Sequence, residues 1–83
     1  MRHLSVCLLM LLFGCSQGPK AELIPIESVP AQIMTVAKQK LPGVTFDQAV
    51  KGSDGRYEVI GKDKKGKVRE IEISAGGDVL EIE

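Results

Sequence analysis

VPAQIMTVAKQKLPGVTFDQAV, running from Val29 to Val50, holds the change of period that decides the fold. In its first half Val29, Ile33, Val36, Ala37 and Leu41 recur at helical spacing, while Gln32, Lys38 and Gln39 fall on the other side. Ser28 offers an N-cap and Pro30 sits in the first turn, where a missing N–H costs little. Pro42-Gly43 ends the run, because proline cannot continue the hydrogen-bond ladder and disfavours helix at the residue before it. Lys38 and Lys40 near that end suit the helix dipole. The spacing therefore predicts a helix over Val29–Leu41. From Val44 the period becomes two, with Val44, Phe46, Gln48 and Val50 alternating against Thr45, Asp47, Ala49 and Lys51 as a first strand.

The same period continues to the end of the sequence, interrupted by short polar turns. Gly52-Ser53-Asp54-Gly55 precedes a strand over Arg56–Lys62, in which Tyr57 and Val59 face the core and Ile60 breaks the alternation. Asp63-Lys64-Lys65-Gly66 precedes a strand over Lys67–Ser74, with Ile71 and Ile73 inward and Glu70 and Glu72 outward. Ala75-Gly76-Gly77-Asp78 precedes a last strand over Val79–Glu83, with Leu80 and Ile82 inward and Glu81 and Glu83 outward. Turns this short join antiparallel neighbours. The expectation is an α+β domain over residues 28–83: one N-terminal helix packed on a three- to four-stranded antiparallel meander.

Upstream of the domain the sequence reads as an export signal. Met1-Arg2-His3 opens it, and Leu4 to Phe13 is apolar except for Ser5. Ten residues are too few to cross about 30 Å of hydrocarbon as a helix but suit the apolar region of a signal peptide. The run closes in Leu12-Phe13-Gly14-Cys15, which resembles the lipobox of bacterial lipoproteins. Leu12, Gly14 and Cys15 fill their slots, and Phe13 is bulkier than usual at its own. The resemblance implies a diacylglyceryl group on the Cys15 sulfur and cleavage after Gly14. Residues 1–14 would then be a signal peptide, and 15–27 a lipidated cysteine with its tether. An ordinary secretory signal would instead leave Cys15 as a free thiol or an intermolecular disulfide partner. Within the tether Gly18-Pro19 is a breaker pair, whereas Leu23-Ile24-Pro25-Ile26 is apolar enough to lie on the domain as an extended arm.

Composition excludes several functions. With 83 residues there is room for one small domain, and 11 basic residues balance 11 acidic ones. Nucleic-acid binders carry a basic excess, and here the aromatics are only Phe13, Phe46 and Tyr57, so stacking platforms are scarce. Removal of residues 1–14 takes away Arg2, His3 and Cys7, leaving ten basic residues against eleven acidic and no histidine. Ser16, Ser28, Ser53 and Ser74 lie in tether, cap or turn positions without a base nearby, and the one remaining thiol would be acylated. Zinc needs paired Cys and His, and the Asp-Gly turns are too sparse for a calcium loop. No catalytic residue, metal or cofactor is expected. One charge cluster stands out: Lys62, Lys64, Lys65, Lys67 and Arg69 surround a single hairpin, offset there only by Asp63. It reads either as a solvated turn or as a contact for an acidic partner or anionic lipid, where each cation adds about 1 kcal/mol.

Val29-Pro30 opening a helix, Leu41-Pro42-Gly43 closing it, Asp54-Gly55-Arg56-Tyr57-Glu58-Val59, and Ile71 to Leu80 around Gly76-Gly77-Asp78 together resemble a PepSY-like domain. The likeness covers about residues 28–83; it departs at Gly76-Gly77-Asp78, where the family more often has Asp-Gly. It implies a small exported domain that binds or restrains peptidases outside the cytoplasm, related in part to small β-lactamase-inhibitor proteins. The family brings no catalytic residues to carry over. The expected partners are membrane lipid through acylated Cys15 and an unidentified envelope protein such as a peptidase. A structural envelope lipoprotein without a peptidase target is the alternative. Ser16 after the cysteine carries no aspartate-type retention signal, and resemblance to proteobacterial lipoprotein sorting then implies the outer membrane, facing the periplasm.

Overall fold

The computed structural model describes residues 21–83; the signal segment, Leu12, Gly14 and Cys15 lie outside it. The helix, α1, spans Ala31–Lys40 and is shorter at its start than the spacing predicts. Pro30 is its N-cap with an extended ψ of 143°, and its carbonyl accepts from Ile33 and Met34 at 3.0 and 3.1 Å. Ser28 caps nothing: it ends a single 3₁₀ turn over Ile26–Ser28, held by its N–H to the Pro25 carbonyl at 2.9 Å. Proline at the cap fixes where α1 begins, since its φ is preset and it has no N–H to satisfy. The C-terminal stop falls where Pro42-Gly43 places it. Gly43 takes a φ of 88°, and the Leu41 N–H still reaches the Ala37 carbonyl.

Among the described residues the sheet has five strands in the order β1-β2-β3-β4-β5, every pair antiparallel. They are β1 (Ala21–Ile24), β2 (Thr45–Gly52), β3 (Tyr57–Lys62), β4 (Val68–Ile73) and β5 (Val79–Ile82). This corrects the three- to four-stranded expectation, and the helix lies between β1 and β2 instead of at the front. The extra strand comes from residues read as tether: Ala21 to Ile24 pair with Gly52 to Ala49. The apolar arm thus takes an edge place, satisfying its backbone on β2 and resting Ile24 on the core.

The core is one layer between α1 and one sheet face. Val29, Ile33, Ala37 and Leu41, spaced by four, meet Ala49, Val59, Ile71 and Ile73, all buried. Each fully buried Ile or Val contributes about 1.5–3 kcal/mol, and Ile33, Ile71, Ile73 and Val59 are the largest such side chains. Tyr57 packs against this layer, as its place in the alternation requires. β2 does not keep a single alternation. The register slips between Phe46 and Gln48, so Asp47 is an extra, unopposed residue. Phe46 and Ala49, three apart, therefore both reach the helix side, and Val50 turns to the other face.

β5 also corrects the sequence reading. Its register slips between Glu72 and Ile73, so Val79 pairs with Ile73 and packs on the core. Leu80, in the slip, is 51% exposed, and Ile82, opposite Ile71, is 42% exposed. The helix packs over β3 and β4 and stops short of covering the last strand, so an inward parity there no longer means burial. Ile60 resolves to the face away from α1, half-buried.

Candidate functional site

The face of the sheet away from α1 has no layer over it among the described residues. Its composition follows from the register. One row across the five strands reads Leu23, Val50, Glu58, Glu72, Glu81. The next reads Gln48, Ile60, Glu70 and, through paired backbone bonds of 2.8 Å, Glu83. The face is thus graded, apolar toward β1 and β2 and acidic toward β4 and β5. The outward orientation of Glu70, Glu72, Glu81 and Glu83 follows the sequence reading. The addition of Glu58, directly opposite Glu72, was missed because it requires knowing how β3 and β4 register. The available signal was its place between inward Tyr57 and inward Val59.

Like charges placed across strands destabilise a sheet, and Glu58 shows the strain. It is half-buried, and desolvation, a hydrogen bond with Glu70, and the charges of Glu70, Glu72 and Glu83 push its pKa from 4.5 up to about 8. A proton held by Glu58 lets the pair share a hydrogen bond where two carboxylates would repel. Among the described residues two cations lie on this face, Lys62 at the far end of β3 and Arg56 at the near end, and Arg56 is the one bound to the carboxylates. Its Nη1 donates to Glu72 Oε2 at 2.7 Å and its Nε to Asp54 Oδ2 at 2.9 Å. Asp54 is held below its usual range, first because it accepts the Arg56 backbone N–H, and Arg56 is raised in turn. Val50, Asp54, Arg56, Glu58 and Glu72 border a shallow hollow of about 180 Å³ at this end of the sheet. The two rows hold no His, Cys or Ser, so the raised carboxyl has no nucleophile beside it to activate.

The basic cluster is brought to one end but not onto one surface. Lys64 and Lys65 stand in the β3–β4 turn, exposed, bordering a notch of about 420 Å³ with Pro42 and Gly43 at the end of α1. Lys62 closes β3, and Lys67 precedes β4; both are exposed. Arg69 lies opposite Gly61, on the helix side, and its Nε donates to the Glu83 carbonyl at 3.2 Å. Asp63 is occupied within the turn. Its Oδ1 accepts from the Lys67 and Lys65 N–H groups at 2.9 and 2.8 Å, and these bonds hold its pKa below the usual range. The acid that offsets the cluster in sequence is thereby a turn-former, and the lysine ammonium groups remain in solvent.

Among the described residues no group of three or more His, Cys, Asp or Glu is arranged to hold a metal, and no helix is long and apolar enough to cross a membrane. No family model, curated protein or solved structure matches the chain.

Proposed function

We propose that this chain is a lipid-anchored exported protein whose PepSY-like domain, without catalytic residues of its own, binds and restrains an envelope protein such as a peptidase. The observation that carries the docking part is the sheet face, with its two edges, that no described residue covers. A two-layer fold of this size normally keeps its charges where water screens them, yet here Glu58 is half-buried among Glu70, Glu72 and Glu83. A strongly perturbed carboxyl on an open surface is a functional-site candidate. Cys15 and the apolar run before it support the anchor, since multiple acyl chains hold a protein on a bilayer lastingly where one does not. The place favoured is the periplasmic face of the outer membrane.

The docking reading is tested by in vivo crosslinking and affinity capture of the lipidated protein, tagged after Glu83. One peptidase or envelope enzyme recovered in stoichiometric amount supports it. Recovery of abundant wall and membrane proteins alone would replace it with a structural lipoprotein. The anchor has its own check. Cys15→Ala is expected to abolish labelling by radioactive palmitate and leave the precursor unprocessed; persistent labelling rules the anchor out.

The lysines of the β3–β4 turn, at the end of the sheet away from Ala21, supply a second contact, with anionic headgroups. Lys64→Glu with Lys65→Glu replaces two attractive charges by two repulsive ones, each worth about 1 kcal/mol near such a surface. Binding of the unacylated protein to phosphatidylglycerol vesicles should fall at least about tenfold at low salt. An unchanged isotherm removes the lipid contact.

A further inference from the structure

Among the described residues β5 bonds to β4 alone, which leaves one side of the strand unpaired. Glu83 and Glu70 exchange both backbone hydrogen bonds. The antiparallel pattern therefore turns the N–H and C=O of Ile82 away from β4, into solvent. The apolar side chains on the same strand, Leu80 and Ile82, are about half exposed. Natural sheets usually blunt such an edge with lysine, proline or a covering loop. On the open face the neighbouring charges are all acidic, Glu81 and Glu83 on β5 with Glu70 and Glu72 beside them on β4, while Arg69 lies on the helix side, its Nε spent on the Glu83 carbonyl. Arg56 reaches only Glu72 and Asp54.

The charge pattern selects the occupant. A second copy added antiparallel through its own β5 would set Glu81 and Glu83 against the same residues. The other open edge, β1, offers Glu22 and no cation over Ala21–Ile24. Self-pairing is therefore opposed at both edges. We infer that the β5 edge accepts an extended segment of the bound partner as a sixth strand, one in which basic residues alternate with apolar ones. Apolar residues of that segment lie beside Ile82 on the helix side, and basic residues lie beside Glu81 and Glu83 on the open face. Main-chain bonds supply affinity and the alternation supplies selectivity. This rests on the docking reading above and specifies its chemistry.

The test uses the full chain in nonionic detergent and three short labelled peptides. One alternates lysine and valine, one is the same peptide with proline at its centre, and one alternates glutamate and valine. Anisotropy should show the lysine–valine peptide binding at least about tenfold more tightly than the other two. Its binding should slow hydrogen exchange at the Ile82 amide. Glu81→Lys with Glu83→Lys should reverse the preference toward the glutamate–valine peptide, an outcome an unfolded variant could not give. Binding without Ile82 protection, or a preference that survives the charge reversal, overturns the inference. Capture of the same envelope enzyme by the native and charge-reversed chains alike also overturns it, while leaving the docking reading intact. Lysine–valine binding with no enzyme captured leaves the edge standing and removes the docking reading.

Discussion

Gly61→Ala should remove a large share of the domain's stability. Gly61 is buried in the middle of the sheet, opposite Phe46, at the point where β2 carries its extra residue. A Cβ built there runs into the Thr45 carbonyl oxygen and comes within 2.6 Å of its carbon and 2.7 Å of the Phe46 Cα. These are backbone atoms, so no side-chain rotation relieves them. The β2 strand would have to move, which would break its pairing on both sides. Overpacking a core costs about 1–3 kcal/mol where side chains can yield, and a backbone obstruction should lie at or above that range. Sixty-three residues (83 − 20) are described, and a domain of that size has roughly 3–9 kcal/mol of total stability. Far-ultraviolet circular dichroism during a thermal melt checks this. A midpoint within a few degrees of wild type would mean that β2 slides past the bulge at little cost.

The second large effect is a pH dependence centred on Glu58. Its folded pKa, about 8, lies above the unfolded 4.5. Between those values the folded state holds a proton that the unfolded state releases. The associated stability is complete below pH 4.5 and is lost as pH rises through about 8. Asp54 and Asp63 act oppositely. Their pKa values are lowered, so their contribution is present above the unfolded value of 3.8 and lost as pH falls through the folded ones. Asp54 is exposed and Asp63 lies partly exposed in a surface turn, so solvent screening keeps their part small. The domain should melt highest in mildly acid solution. Glu58→Gln keeps a hydrogen-bonding group and removes the charge. With Glu58 only half-buried, solvent screening reduces the gain at pH 9 to about 1–2 kcal/mol. That corresponds to a rise of roughly 5–10 °C in Tm. At pH 4.5 the variant and wild type should coincide. An equal gain at both pH values would assign the effect to packing and not to charge.

The helix and its partners on β3 and β4 were legible because their information is local. Val29, Ile33, Ala37 and Leu41 keep their spacing between strong stops, and Val59, Ile71 and Ile73 alternate between short turns. What could not be read depends on pairing. Ala21–Ile24 holds only two large apolar residues and no turn joins it to its neighbour, so its place beside Gly52 and Val50 appears only once α1 has brought the chain around. The irregularities at Asp47 and Leu80 each insert one residue, and an insertion inverts every parity beyond it. The carboxylates of the open face were individually legible as outward. Their meeting at Glu58 was not, because opposition across strands is a property of register. The lysine-rich turn was visible as a run of charge, whereas the placement of Arg69 on the helix side required its pairing with Gly61.

If Cys15 carries the proposed lipid, the edge position of β1 sets how far the domain can stand from a bilayer. Were the chain free from Cys15 to Ser28, a leash of 13 residues (28 − 15) at about 3.5 Å each would allow about 45 Å of reach. With Ala21 fixed against Gly52, six (21 − 15) remain, or about 21 Å. An acylated Cys15 would then hold the β1 side of the sheet within one domain's width of the lipid headgroups, and whatever docks must come down to the membrane to do so.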